Sequence, residues 1–354
     1  MIPAVAWLLA CAGCKPESAR DATDPQQAEM PPIAQRAPGA KAPEGQLGRV
    51  AGFFSDSRDP FQKMQAQYLQ LLTARETGTS IQFEDALDRA EAQIAQLTEL
   101  AANPPRYLFF LPVDPEAARP AIEALRDAGT RVIGLDHRLA DMKPPLCDTV
   151  IYEDPVGLGE RVGETVTRAL KRKAAQEGTG RVAGRVAQLR GRDDEPWCTA
   201  VNEGFTQALR KEPGIRLVHD APTEWTAVLA TQRTQELARL QPDVDVLFAH
   251  SDETALAASN ALRQLNLRDR ALILGVDGFG GPEGGVEMIR KNDIDGTAFR
   301  PMLVDFAWAL ARHWDSSPGF QPKPAYELQG RMILPADLDN LRSNQWMEWP
   351  ELGP

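Results

Sequence analysis

The sequence predicts an α/β protein built from two similar doubly wound lobes with parallel sheets. From residue 48 onward, apolar strand-like runs alternate with helical patterns, as they do in chains of βαβ units. The alternation restarts after Thr149–Tyr152, so the unit occurs twice. Polar and acidic residues follow the apolar runs, at the strand ends where doubly wound sheets hold ligands.

The first run, Arg49–Phe54, enters a turn of hydroxyl, carboxylate and aromatic residues that ends in Asp59-Pro60-Phe61, and a helix follows to about Arg75. Ser80–Phe83 reads as a second strand. Asp85–Ala101 has helical spacing through Leu87, Ala90, Ile94, Leu97 and Leu100. Tyr107–Pro112 is the third strand, Asp114–Ala128 a helix ended by Gly129, and Arg131–Leu135 a strand running into Asp136-His137.

In the second half, Gly157–Lys173 is a long amphipathic helix and Val182–Leu189 a strand that ends in the charged loop 190–195. A helix from about Cys198 to Arg210, the strand Arg216–His219 and the helix Thr226–Leu240 follow. Val244–His250 is a strand into Ser251, Thr254–Leu265 a helix, and Ala271–Val276 a strand into Asp277.

The N-terminus departs from this pattern. Met1 to Cys14 is almost wholly apolar or small, then composition turns polar at Lys15. That length fits the core of a secretory signal, and no apolar stretch reaches the roughly 18 residues a membrane helix needs. Leu8-Leu9-Ala10-Cys11 resembles a bacterial lipobox, which makes Cys11 the expected acylated residue and Cys14 the alternative. Cys11 and Cys14 also have CxxC spacing, but no second pair accompanies them. Residues 15–46 are rich in Pro, Ala and Gln without periodicity, the composition of a disordered tether. Export would permit a disulfide between Cys147 and Cys198 without requiring one.

Charge and motifs exclude several functions. A formal net charge of -11 argues against a nucleic-acid partner, and the longest basic run, Lys171-Arg-Lys173, lies in a helical pattern. The four histidines stand in separate segments without metal-ligand spacing, so no metal or cofactor is expected. No nucleophile elbow, P-loop or dinucleotide fingerprint is present, and no catalytic residue is assigned.

The candidate site residues at strand ends are Ser55, Asp59, Asp136, His137, Ser251 and Asp277, with Phe61 and Trp225 nearby. Carboxylates accept hydrogen bonds from hydroxyls, and aromatic faces cover the C–H faces of a sugar ring. Each also has an ordinary role. Asp59 and Ser251 are good helix caps, Phe61 and Trp225 good core residues, and Asp136 and Asp277 good turn formers.

Gly52-Phe-Phe-Ser-Asp-Ser-Arg-Asp-Pro-Phe61 resembles the first strand and turn of the type I periplasmic solute-binding proteins, in their ribose- and galactose-binding branch. Phe110-Leu-Pro-Val-Asp-Pro115, Gly129-Thr-Arg-Val-Ile-Gly-Leu-Asp-His137, Phe248-Ala-His-Ser-Asp-Glu-Thr-Ala-Leu256 and Gly275-Val-Asp-Gly278 resemble further segments of that branch, in the same order. The resemblance runs over roughly residues 48–334.

It implies a three-crossing hinge, with crossings near Thr149–Asp154, Phe299–Met302 and Leu328–Gly330. The implied division is 47–150 plus 301–328 for the N-terminal lobe and 151–300 plus 329–345 for the C-terminal lobe. Asp136 and Asp277 then match carboxylates that bind sugar hydroxyls, and Phe61 and Trp225 match the rings that sandwich the sugar. Asp59, His137, Ser251, Thr199 and Arg300 stand where the branch has Asn, Arg, Asn, Arg and Gln. Arg300 offers a bidentate fork, which admits an anionic ligand beside the preferred sugar-like one. Asp59 and Arg300 are expected to face each other across the cleft. The implied function is capture of a sugar-like molecule by a monomeric, periplasmic, membrane-anchored lipoprotein. It would deliver the ligand to the permease of an ABC importer, or present its closed form to a receptor kinase.

Overall fold

A computed structural model describes residues 47–54, 59–75, 79–340 and 350. Ser55, Cys11 and Cys14 lie outside these residues, as do the signal and tether. The described residues form two six-stranded sheets.

The N-terminal sheet contains β1 (Arg49–Phe54), β2 (Ser80–Asp85), β3 (Tyr107–Phe110), β4 (Arg131–Gly134), β5 (Thr149–Glu153) and β11 (Ala325–Leu328). Its order is β11-β5-β4-β3-β1-β2, and every pair is parallel. The C-terminal sheet contains β6 (Gly184–Arg190), β7 (Ile215–Pro222), β8 (Val246–Ala249), β9 (Leu272–Asp277), β10 (Gly296–Phe299) and β12 (Met332–Ile333). Its order, β12-β10-β9-β8-β6-β7, repeats that of the first sheet, and only β12 runs antiparallel. In both sheets the order reverses beside the first strand of the lobe, at β1 and at β6. Crevices form at such reversals, outside the carboxyl ends of the strands.

Helices cover both faces of each sheet, and the inner strands such as β3 and β8 are buried and apolar throughout, unlike the edge strands β2 and β7. In the N-terminal lobe, α1 (Pro60–Ala74) and α9 (Leu303–Ser316) bury Leu69, Phe306 and Trp308 against one face. Helices α2 (Ala90–Leu100) and α3 (Pro115–Asp127) bury Leu97, Ile122 and Leu125 against the other. In the C-terminal lobe, α4 (Pro155–Gln176) and α5 (Pro196–Arg210) take one face, with Val162 and Phe205. Helices α6 (Ala227–Leu240), α7 (Asp252–Gln264) and α8 (Gly285–Arg290) take the other. Each large apolar side chain so buried contributes roughly 1.5–3 kcal/mol.

Helix starts follow local capping chemistry. Asp114 accepts from Ala117 N at 3.0 Å, ahead of Pro115 at the first helical position. The helix expected from Asp85 begins only at Ala90. The Asp85 carboxylate accepts from Leu87 N at 2.9 Å, and Leu87 and Asp88 turn left-handed with φ of 52° and 61°. An Asx-type turn has displaced the first helical turn.

The chain passes between lobes after β5, after β10 and after β11. Because β5 runs to Glu153 in the N-terminal sheet, residues 151–153 lie with that lobe rather than with its partner. Helix α9 returns to the N-terminal lobe, where Val304 N donates to Gln65 Oε1 at 3.0 Å and Tyr107 Oη to Ala311 O at 3.0 Å. Cys147 and Cys198 are free and buried, one against β4 and the other on α5, and burial raises both thiol pKa values, that of Cys147 to about 12.

Candidate functional site

The strand ends of the two lobes face each other across a cavity of about 230 Å³. On the N-terminal side, Asp59 caps α1 and its Oδ1 accepts from Phe61 N at 2.8 Å. Capping and cavity lining therefore coincide in one carboxyl. Phe61, two residues further on, is buried and also lines the cavity.

At the end of β4, Asp136 and His137 reach the wall. Asp136 Oδ2 accepts from Arg138 Nε at 2.9 Å and Nη2 at 2.6 Å, and its Oδ1 accepts from Arg138 N at 2.8 Å. Arg138 also donates to Pro112 O at 2.8 Å. The Asp136 carboxylate is thus committed to its neighbour two residues on. Burial lowers the His137 pKa against the pull of Asp136.

Arg300 follows β10 at the second crossing and is buried at the centre of the site. Its Nε donates to Glu153 Oε2 at 2.9 Å, and its Nη1 lies 3.8 Å from Asp277 Oδ1. Its guanidinium carbon sits 3.5 Å from the Phe61 ring centroid and 4.0 Å from that of Trp197. The guanidinium therefore fills the slot between the two rings, a cation–π sandwich. Burial opposes its charge, but Glu153, Asp59 and Asp277 outweigh burial, and it remains a cation. Arg300 feels the charge of Asp59, but its direct partners are Glu153 and Asp277.

The acids around it are held in their protonated direction. Burial raises Asp59 and Glu153 against the attraction of Arg300. Burial, and next the charge of Asp59, pushes Glu195 up to about 8. Burial and the neighbouring Asp252 carry Asp277 well above the ordinary carboxyl range, and burial takes Asp252 up to about 7. Asp277 also has φ of 112°, a strained backbone for a residue with a side chain.

The second ring of the slot differs from expectation. Trp225 does not line the cavity; Trp197, at the start of α5, does. The two indoles pack 6.1 Å apart, and Trp225 Nε1 donates to Glu195 Oε2 at 2.9 Å. Trp225 lies directly over Gly191, where an added Cβ would come within 2.3 Å of the indole. Its part is to hold Glu195 and Trp197 in position from behind. His250, whose pKa burial lowers to about 3, meets the Trp197 ring edge-on at 5.8 Å and pairs with Gln188 at 2.7 Å.

Three further expected contacts fall outside the cavity wall, and Asp277 is one of them, standing behind Arg300. Ser251 is buried as the cap of α7, its Oγ accepting from Thr254 N at 3.2 Å. Thr199 is exposed on α5, and its hydroxyl donates back to Glu195 O at 3.3 Å. Sequence reasoning missed Trp197, Glu153 and Glu195. The signal for Glu153 is its place at a strand end directly before Asp154-Pro155, the same acid-before-proline pattern as Asp59-Pro60.

The lobes also touch directly across the cleft. Phe61 stacks on Phe279 with centroids 5.9 Å apart and planes 9° from parallel. Arg192 of the C-terminal lobe reaches Asp88 of the N-terminal lobe at 2.6 Å. These contacts close the two lobes over the cavity.

Comparison with known proteins agrees with this architecture. The sequence profile described as periplasmic binding protein domain matches residues 52–307. The ribose import binding protein of Escherichia coli strain K12 is 25% identical over 211 residues, 60% of this chain and 66% of that protein's own length. The ribose import binding protein of Bacillus subtilis strain 168 is 24% identical over 235 residues, 65% of this chain and 70% of the relative. A Caulobacter myo-inositol binding protein, solved bound to myo-inositol, superposes with a TM-score of 0.68 at 20% identity, over 85% of this chain and 98% of that one. The fructose binding periplasmic domain of a hybrid two component system also gives 0.68, at 19% identity, over 83% and 93% of the two chains. The chain belongs to the type I periplasmic binding proteins, on the branch that holds the ribose import binding proteins.

Proposed function

We propose that this protein is an extracytoplasmic solute-binding lipoprotein that captures a sugar-like small molecule between its lobes and delivers it to an ABC importer. The observation that carries this reading is the cavity itself. Its wall combines hydrogen-bonding carboxyls with aromatic side chains drawn from both lobes, and the lobes meet over it through Phe61–Phe279 and Asp88–Arg192. A ligand touching both lobes favours the closed state by its differential affinity, and the closed state is the form a membrane partner reads.

Relatives support the ligand class. Import binding proteins for ribose and D-apiose and a periplasmic D-allose-binding protein share about a quarter of their aligned residues with this chain. Of the candidate residues, Asp59, Phe61, Asp136, His137 and Arg300 line the cavity, with Trp197, Glu153 and Glu195 added to them. Asp277 acts through Arg300, and Trp225 through Glu195. Thermal-shift screening of the purified protein over neutral sugars, sugar acids, amino sugars and cyclitols tests the assignment. Stabilisation by at least one class is expected, and a flat response to all of them removes the reading.

The anchor rests on Cys11 in Leu8-Leu9-Ala10-Cys11, with Cys14 as the alternative. Radiolabelled fatty acid should label wild-type protein in cells and fail to label C11S. A sensor is the second reading, favoured by the likeness to the periplasmic domain of a hybrid two component system. Pull-down of the ligand-closed protein from its own membranes separates the two, by recovering a permease or a histidine kinase.

A further inference from the structure

The capture function leaves open the charge of what is captured, and the distribution of charge in the cleft bears on it. Asp59, Glu153 and Glu195 reach the cavity wall, and Asp277 stands behind them against Arg300. Four carboxyls therefore surround one guanidinium. The other two arginines on the wall are committed to acids of their own. Arg138 holds Asp136, and Arg192 holds Asp88 and Asp194.

Two more observations define what is left for a ligand. The paired faces of Phe61 and Trp197 already enclose the Arg300 guanidinium at 3.5 Å and 4.0 Å, so a ligand meets the surrounding carboxyls rather than the slot between the rings. One buried donor on the wall also has no hydrogen-bond partner. Gln65 is fully buried with its amide Nε2 unpartnered, a group that a ligand hydroxyl oxygen would satisfy. Such a group carries a desolvation cost that a bound ligand relieves. An anion would enter a site whose cation is already matched by more acids than it can neutralise.

We propose that the ligand is cationic: a small polyhydroxylated amine such as an amino sugar or imino sugar, its ammonium received by Glu153, Glu195 and Asp59. The inference rests on the capture function, and it deepens that reading by naming the charge class. Arg300 then acts as the partner that fixes the acids and closes the slot, while the ligand's ammonium supplies the second positive charge. Binding has a proton signature. Glu195 is faced by Asp59, Arg300, Arg192, Cys198 and the Trp225 indole, and burial with the Asp59 charge favours its protonated form near neutral pH. An arriving ammonium favours the carboxylate, so protons leave as the cation binds.

The test is isothermal titration of the purified full chain at pH 7.5, in two buffers of different ionisation enthalpy. The probes are glucosamine, galactosamine and 1-deoxynojirimycin against glucose, galactose, myo-inositol and glucuronate. The expected result is that at least one amine binds tenfold or more tightly than its neutral parent, with proton release once the proton uptake by the amine's own unprotonated fraction at pH 7.5 is subtracted. E195Q keeps an acceptor for the Trp225 indole, and it should cost the amine at least tenfold more affinity than it costs the neutral parent. If a neutral sugar or glucuronate binds more tightly than every amine, the cationic assignment is overturned and capture stands. If no probe binds, capture and the charge class fall together.

Discussion

Replacing Arg300 by methionine keeps much of the side-chain volume and removes the charge at the centre of the cleft. Glu153 Oε2 then loses a bond of 2.9 Å, and Asp277 loses a cation at 3.8 Å. Removing one partner of a buried pair costs on the order of 3–5 kcal/mol, because the other charge is left unmatched. The two ring contacts add about 1 kcal/mol or more each, partly returned by the apolar methionine. The abandoned carboxyls have an escape, which is to bind protons. Their folded-state pKa values already lie above the unfolded values, and losing Arg300 raises them further. The penalty is therefore small below the unfolded carboxyl pKa and grows as pH rises through the folded one. R300M should lose about 3–5 kcal/mol at pH 8 but only about 1–2 kcal/mol at pH 5. Urea unfolding followed by circular dichroism at both pH values measures this. Adding E153Q to R300M should recover about half of the pH 8 loss, a coupling expected of groups in direct contact. A loss below about 1 kcal/mol at pH 8, or an equal loss at both pH values, would refute the buried acid-and-arginine network.

Other consequences can be measured on the same protein. D88N removes the bridge across the cleft mouth, a partly exposed pair contributing about 0–1 kcal/mol, so ligand affinity should fall by no more than about fivefold while the melting temperature holds; a larger loss of affinity would mean that Asp88 does more than latch the lobes. Between the unfolded carboxyl pKa and the value near 8 for Glu195, rising pH takes a proton that the folded state prefers to keep. Melting temperature should accordingly fall from pH 6 to pH 8.5, and E195Q should flatten that slope. G191A would drive a Cβ into the Trp225 indole. It should weaken ligand binding at least tenfold through displacement of Glu195, and unchanged affinity would contradict the supporting part given to Trp225.

The architecture was legible because its signals are local. Alternating apolar runs announced both sheets, and Asp59-Pro60 announced a helix start that the structure confirms at the atom level. What the sequence concealed depends on contacts between distant residues. Nothing near Trp197 or Trp225 says which indole faces the cavity, because Gly191 and the Glu195 carboxylate fix Trp225 behind the wall. Glu153 gains its partner 147 residues later in Arg300. Asp136 carries the strand-end signature of a ligand residue, yet a rotamer of Arg138 occupies its oxygens. The delayed start of α2 had the same cause as many such misses, an Asx turn competing with the first helical turn.

The central claim is that a small molecule is held between the lobes, in the cavity that Trp197 helps to wall. Trp197 is only half-buried and heads α5, so W197A should fold, and calorimetric binding can be compared directly with the wild type for the strongest hit of the screen. The account predicts that W197A binds that compound at least thirtyfold more weakly, about 2 kcal/mol, with its fold retained. Equal affinity in the two proteins would contradict it.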